Sequence, residues 1–352
     1  MITLSDFGYE KKLKSPGKAF AHTWNEKSFI NGESVKQFES QFRDFVGAED
    51  CVALSSCTSA LQLSLLALSV GPGDEVITVP YTWVSTVEAI RQVGAKPVFV
   101  DINAGDLCMD TASVGKAITS KTKAIIPVDL YGNVSNIDIL KKYNIPIVQD
   151  SAQSTGAIYK GRRVGALSHL TCFSFYPTKN LGSWGDAGAV TGDARYCETI
   201  RELRNHGQRS RFDIQNVGWN ARMASIQAEV LLNKLPLLDK HNKRRREIAH
   251  TYNAELSAYV VTPTENVNSM HVYHQYVIQS IYIDKIKDAL ASNKIQSRTY
   301  YPTPLNELKP YMTKQIFPNS RHASLNTLAI PCHQYLTNKE VKLIIKTIKE
   351  AL

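Results

Sequence analysis

The residue type with the most chemistry to offer is a lysine that follows a run of β-formers and aromatics. Phe173-Ser-Phe-Tyr-Pro-Thr-Lys179-Asn-Leu-Gly182 places Lys179 just beyond such a run, with Gly182, Gly185 and Gly188 after it. Taken alone, a lysine there reads as surface decoration. At the mouth of a parallel sheet, beside aromatics and a carboxylate from a neighbouring strand, it suits a carbonyl cofactor instead. Attack on a carbonyl needs an amine that is neutral part of the time, and apolar surroundings lower an amine's pKa by penalising its charged form. Ile145-Pro-Ile-Val-Gln-Asp150 ends a buried-looking strand on a carboxylate, and Gln153 follows three residues later. Asp150 also has a plainer reading, as the cap of the turn that follows.

Leu54-Ser-Ser-Cys-Thr-Ser-Ala-Leu61 brings small hydroxyl residues to a point where a loop enters a helix. Free N–H groups at a helix start can hold a phosphate, although such clusters also serve as ordinary helix caps. Trp83, in Pro80-Tyr-Thr-Trp83, follows another strand and offers a flat face for stacking on a ring, with a core position as the alternative.

These residues need strands to carry them. From 50 to 192 the sequence alternates β-rich apolar runs with helical patterns, which predicts an α/β class with crossover helices over a mostly parallel sheet. Strands are predicted at 74–80, 97–102, 124–130, 146–150, 171–175 and 188–191, and helices at 58–69, 84–93, 136–143, 194–205 and 222–233. In open α/β sheets ligands bind beyond the carboxyl ends of the strands, which is where Lys179, Asp150 and Trp83 fall. Residues 1–238 read as an N-terminal segment and a large α/β domain, and 239–352 as a smaller α+β domain. The smaller one opens on a basic helix at 237–256. Strands at 271–280 and 295–300 and helices at 284–293 and 338–352 follow.

Composition excludes other classes. The chain has 352 residues, 43% hydrophobic and 21% charged, near the averages for globular proteins. Met1 to Lys18 includes Asp6, Glu10, Lys11, Lys12 and Lys14 and lacks the apolar core of a secretory signal. The most apolar stretch, 52–70, is too polar for a membrane span and suits a buried helix. The six cysteines show no CxxC pair and no zinc spacing, so reduced thiols, a cytoplasmic setting and no metal are expected. The net charge of +9 admits either nucleic acid or anionic small molecules as partners. Its densest run, Lys240, Lys243, Arg244, Arg245 and Arg246, is interleaved with Asp239 and Glu247 and reads as a solvated helix face. No nucleic-acid motif accompanies it.

In order along the chain, Asp150-Ser-Ala-Gln153, the Phe173 to Gly182 block, Arg204-Asn-His-Gly207 and Gly218-Trp-Asn-Ala-Arg222 resemble the DegT/DnrJ/EryC1/StrS sugar aminotransferases, a branch of the fold-type I enzymes of pyridoxal 5'-phosphate (PLP). The likeness runs from about residue 30 to the C-terminus. It implies that Lys179 forms the Schiff base and that Asp150 keeps the pyridine nitrogen protonated. It further implies Gln153 near the ring hydroxyl, Cys57, Thr58 and Ser174 at the phosphate, and Trp83 stacked on the ring. Asn220 would reach the phosphate of a neighbouring subunit's cofactor, which implies a homodimer with shared sites; Arg222 would lie close by.

By the same resemblance the expected reaction moves an amino group from an amino acid, glutamate by analogy, to a nucleotide-linked keto-deoxysugar. A keto-cyclitol or other small ketone is the alternative acceptor, and a non-catalytic regulatory protein the alternative from another class. Related sugar dehydratases carry histidine where this chain has Lys179. Two departures stand out. Cys57 replaces the usual glycine and could crowd the phosphate loop. Asp129, in Asp129-Leu-Tyr-Gly132, replaces the usual histidine, which is expected to change the charge near the site and with it the substrate preference. His206, Tyr301 and His322 fall in or near family-like segments but stay outside the expected catalytic set.

Overall fold

The computed structural model describes residues 1–5 and 16–352. Asp6, Glu10, Lys11, Lys12 and Lys14, part of the polar N-terminal reading, lie outside the described residues. Helix α1 spans Pro16–Glu26 and α2 Glu33–Val46. Val35, Phe38, Phe42 and Val46, three and four residues apart, form the buried stripe of α2. Gly47 then stops it with a left-handed cap at φ 72°.

The apolar stretch from 52 to 70, expected to be one buried helix, is divided. Strand β1 takes Asp50–Leu54, and Ser56 in extended conformation accepts the Ser59 N–H to start helix α3, Cys57–Ala67. A short apolar run cannot be told from buried helix by periodicity, which is why β1 was not among the predicted strands. Thereafter the predicted alternation holds, with boundaries shifted by a few residues. The order is β2 Glu75–Thr78, α4 Ser85–Gln92, β3 Lys96–Phe99, α5 Val114–Ala117, β4 Thr122–Ile125, α6 Ile137–Lys141 and β5 Val148–Asp150. A small hairpin, β6 Ile158–Tyr159 and β7 Arg162–Arg163, precedes β8 Leu170–Ser174, β9 Gly188–Gly192 and α7 Ala194–Leu203. A second hairpin, β10 Gln208–Ser210 and β11 Asp213–Ile214, leads to α8 Ser225–Lys234.

Parallel bridges from Ile125 to Ile147 and from Val128 to Asp150 join two sheets edge to edge, so the strand order reads β3-β2-β4-β5-β8-β9-β1. Pairing is parallel from β3 across to β8, and only β9 runs against its neighbours. The sheet is therefore mostly parallel, as the sequence suggested, and every residue of β2, β5, β8 and β9 is buried. The carboxyl ends of β5 and β8, parallel neighbours, open on the same edge, which brings Asp150 and the segment after Ser174 together.

The remaining elements are α9 Leu238–Leu256, β12 Ser269–Met270, β13 Tyr276–Gln279, α10 Ile283–Ser292, α11 Pro318–Asn326, β14 Thr327–Ile330 and α12 Asn338–Ala351. The terminal helix starts on a capping box between Thr337 and Glu340. Two expectations change here. The strand expected at 271–280 shrinks to β13, whose partner is the unforeseen β14, while 295–300 makes only isolated bridges through Ile295 and Arg298. The basic run of α9 is also not wholly solvated. Arg245 is buried and donates to the carbonyls of Tyr273 and Cys332 and to Gln334 Oε1, because its place on the helix turns it inward with Ile248 and Ala249.

Candidate active site

Asp150 ends β5 with its side chain fixed from two sides. Its Oδ2 accepts the Thr86 hydroxyl at 2.8 Å, and its Oδ1 accepts the Ala152 N–H at 3.2 Å. Burial pushes its pKa up, while the Thr86 bond, the Ala152 bond and the charge of Lys179 pull it back. The turn reading of Asp150 is thus present as well, through Ala152, but it does not exhaust the side chain.

Lys179 follows β8 through a tight turn in which its N–H donates to the Tyr176 carbonyl at 2.8 Å. The turn requires Gly182, where a Cβ would stand 2.4 Å from the Pro177 carbonyl oxygen. Lys179 is half-buried, and burial holds its amine below the ordinary lysine range; Cys57 and Asp150 act in the opposite sense. The amine and the Asp150 carboxylate therefore share one electrostatic site.

Gln153 lies beside them. Its Oε1 accepts the Tyr131 N–H at 2.7 Å, and its Nε2 donates to the Tyr301 hydroxyl at 3.0 Å. Tyr301, from the C-terminal part of the chain, stands 6.0 Å from Trp83 between ring centroids. Trp83 is 59% exposed, so the core alternative for this residue is set aside.

At the third corner, Cys57 and Thr58 begin α3, and Thr58 Oγ1 donates to Ser85 Oγ at 2.9 Å. Ser174, buried at the end of β8, accepts the Tyr176 N–H at 3.4 Å. Gly188 lets β9 press against this loop, since a Cβ there would meet the Ser56 carbonyl carbon at 2.4 Å and the Cys57 nitrogen at 2.6 Å. Cys57 does not distort the loop. It is the first residue of a regular helix and is absent from the positive-φ positions, so a Cβ is sterically ordinary there. Its thiol is buried and pushed well above the usual range by desolvation.

Asn220 is exposed, and its Oδ1 accepts from Arg222 Nε at 3.0 Å. The strip that carries it runs beside the α3 loop, with the Ser55 N–H donating to the Ala221 carbonyl at 2.9 Å. Within this chain Asn220 bonds to Arg222 rather than to Lys179 or Asp150. His206 and His322 are exposed as well, and His322 lies against Asn326.

Asp129 differs from expectation. It is fully buried, and its carboxylate is wrapped by the Ser135 N–H, Gln149 Nε2, Ser151 Oγ and Ser154 Oγ. Successive residues of a strand point to opposite faces, so Gln149 and Ser151 face away from Asp150 and take Asp129 with them. It places no charge in the opening. Thr86 and Tyr131 went unnoticed in the sequence because a threonine early in a helix and a tyrosine after an aspartate carry no local signal of their distant partners.

Among the described residues no group of His, Cys, Asp or Glu side chains is arranged to hold a metal ion, and no helix is long and apolar enough to cross a membrane. All six cysteines are free and buried.

Known proteins resemble this chain in sequence and fold. A family model described as the DegT/DnrJ/EryC1/StrS aminotransferase family matches residues 14–349. The UDP-2-acetamido-2-deoxy-3-oxo-D-glucuronate aminotransferase of Pseudomonas aeruginosa is 39% identical over 90% of this chain and 90% of its own. A protein of Geobacillus stearothermophilus named pleiotropic regulatory protein is 35% identical over 99% of this chain and 97% of its own. Among solved structures, DesV of Streptomyces venezuelae, in complex with a ketimine intermediate, superposes with a TM-score of 0.95 at 33% identity, covering 97% of this chain and 95% of that one. Spr1654 of Streptococcus pneumoniae in its PMP form does so with a TM-score of 0.91 at 29% identity, covering 100% and 97%. With the match spanning both the α/β sheet and the C-terminal elements, the chain belongs to the DegT/DnrJ/EryC1/StrS aminotransferase family.

Proposed function

We propose that this chain is a PLP-dependent aminotransferase that moves an amino group from an amino acid, glutamate, to the keto group of a nucleotide-linked keto-deoxysugar. One observation carries the reading: an amine held below its ordinary pKa, Lys179, shares a site with Asp150, a buried carboxylate oriented by Thr86. The nucleotide-sugar relative supports the acceptor class.

The residues present fit this cofactor on the chemistry of their donors. When bound, PLP supplies a carbonyl that couples to amines and a ring that takes up electrons. Asp150 would hold the cation at the ring nitrogen, since a carboxylate accepting from Thr86 and Ala152 keeps lone pairs for a further N–H. Gln153 would offer Nε2 to the ring hydroxyl. Cys57 and Thr58 would hold the phosphate with the N–H groups that open α3, joined by Ser174, and Trp83 would cover one face of the ring. Lys179 Nζ would move the proton: with burial holding its amine below the ordinary range, it would accept one from the donor's α-carbon and return it to the carbon on the other side of the donor's nitrogen.

The same reading makes the enzyme a homodimer. Phe212, Ile214 and Val217 on and after the β10–β11 hairpin are 82%, 63% and 87% exposed, and Phe20 and Trp24 add to the apolar surface. A second copy would cover these residues and receive Asn220 at its phosphate site. The reading also retains 1–238 and 239–352 as domains. A separate buried cluster in the latter, with Ile248, Tyr252, Ile286, Leu328 and Ile344, supports it, although Val277 and Ala329 pack with the main core. A cytoplasmic location suits the free thiols.

The test is the absorbance spectrum of the purified protein with PLP, before and after glutamate, followed by borohydride reduction and peptide mapping. Conversion to the pyridoxamine form with Lys179 tagged is expected. No band, or a tag on another lysine, refutes the assignment.

A further inference from the structure

Asp129 is a buried carboxylate that the proposed reaction does not use, and its surroundings are too ordered for a bystander. Its Oδ2 accepts from Gln149 Nε2 at 2.7 Å, Ser151 Oγ at 2.8 Å and Ser154 Oγ at 3.1 Å, and its Oδ1 from the Ser135 N–H at 2.9 Å. Its own N–H donates to the Asp150 carbonyl at 2.9 Å. Gln149 and Ser151 flank Asp150, and Ser151 and Ser154 bracket Gln153. Two residues further along the same segment, the Tyr131 N–H holds Gln153 Oε1. The segment from Asp129 to Tyr131 thus grips the backbone of Asp150 and the side chain of Gln153 from behind.

We propose that Asp129 is a positioning residue for the cofactor site, locking the 150–154 turn so that Asp150 and Gln153 present fixed groups to the PLP ring. The inference rests on the function proposed above and deepens it.

The geometry explains why an acid serves here. Four donors converge on the two oxygens, a load that a carboxylate with about four lone-pair sites accepts and an amide, which must turn its NH2 toward one set of donors, does not. Among the described residues no cation pairs with Asp129. The ionisable groups near it are the buried Cys108 thiol and Asp150 on β5, whose carbonyl its N–H meets. Burial pushes the Asp129 pKa up to about 6, with the bonds from Ser135, Ser151, Gln149 and Ser154 restraining the rise. Above that pH the carboxylate is charged and its hydrogen bonds are charge-assisted, while the cost of burying the charge lowers overall stability. The residue touches neither ring nor substrate and acts through Asp150 and Gln153.

The experiment measures PLP affinity of the apo-protein and the pH dependence of the bound cofactor's absorbance, for the wild type, Asp129→Asn and Ser135→Ala. Ser135→Ala is the control, because it removes the Ser135 hydroxyl bond to the Val128 carbonyl on the same segment and leaves the turn untouched. Asp129→Asn is expected to weaken PLP binding by about tenfold or more and to shift the pH midpoint of the band, with Ser135→Ala within about twofold of wild type. Should Asp129→Asn not fold, the Ser151→Ala/Ser154→Ala double variant, which keeps the carboxylate, is expected to weaken binding likewise. Wild-type affinity and midpoint in either turn variant, or an equal loss in Ser135→Ala, overturns the proposal. A wild-type protein that yields no borohydride-stable adduct on Lys179 instead overturns the reading beneath it.

Discussion

The Thr86 hydroxyl, one residue into α4, donates a 2.8 Å hydrogen bond to Oδ2 of Asp150 at the end of β5. Residues 64 positions apart are thereby set as one unit, with Thr86 itself buried and braced by Thr82 at 3.0 Å. This bond lowers the Asp150 pKa against the upward push of burial, so it favours the charged form that a protonated ring nitrogen requires.

Thr86→Val removes that donor and keeps the shape. A hydrogen bond to a charged group contributes about 1.5–3 kcal/mol, so PLP affinity should fall by about tenfold or more. Without the bond Asp150 ionises at higher pH, so the loss should grow as pH is lowered. A loss equal at every pH would show that Thr86 does not act through Asp150 ionisation. Asp150→Asn, which cannot ionise, should instead lose transamination severely at every pH.

Gly188→Ala should damage the phosphate loop. The new Cβ would meet backbone at 2.4 Å and 2.6 Å, which flexible side chains cannot relieve. Overpacking of this kind costs about 1–3 kcal/mol or more, read as a lower urea midpoint, together with weaker PLP binding. Gly71→Ala is the control: its Cβ meets only the Val93 carbonyl oxygen, at 4.0 Å, and it should behave as wild type. Matching midpoints for the two variants would refute the close approach.

The pH dependence of apo-protein stability carries a signature of Asp129. Burial pushes its pKa from the ordinary 3.8 up to about 6, so the folded state binds the proton more tightly than the unfolded state does. Its contribution to stability is present below about pH 4 and is lost as pH rises through about 6. Asp129→Asn should flatten the decline between those values by up to about one proton in slope. Parallel stability curves would refute the shifted ionisation.

Mixed subunits test the proposed sharing of the site. Lys179→Ala and Asn220→Ala homodimers should each be impaired. Co-refolded mixtures should recover part of the activity, because one of the two sites in a heterodimer is intact. No recovery in a verified heterodimer would confine Asn220 to its own chain.

The nearness of two candidate site residues was legible before folding. Lys179 and Asp150 each follow a buried strand, and parallel strands open their carboxyl ends on one edge, so the sequence order of apolar runs already implied that the two would meet. The class, the alternation and the mostly parallel sheet came from the same pattern. Other features depended on partners far away in the chain. β1 and β14 are strands because β9 and β13 pair with them, and short apolar runs carry no sign of such pairing. Arg245 looked solvated in a basic run until the helix turned it toward the carbonyls of Tyr273 and Cys332. Asp129 looked like a charge at the mouth, yet strand alternation sends it behind Asp150. Residue type and local period determined which groups could react, whereas long-range hydrogen bonds, invisible to any local window, decided which of them face the opening and which hold it in place.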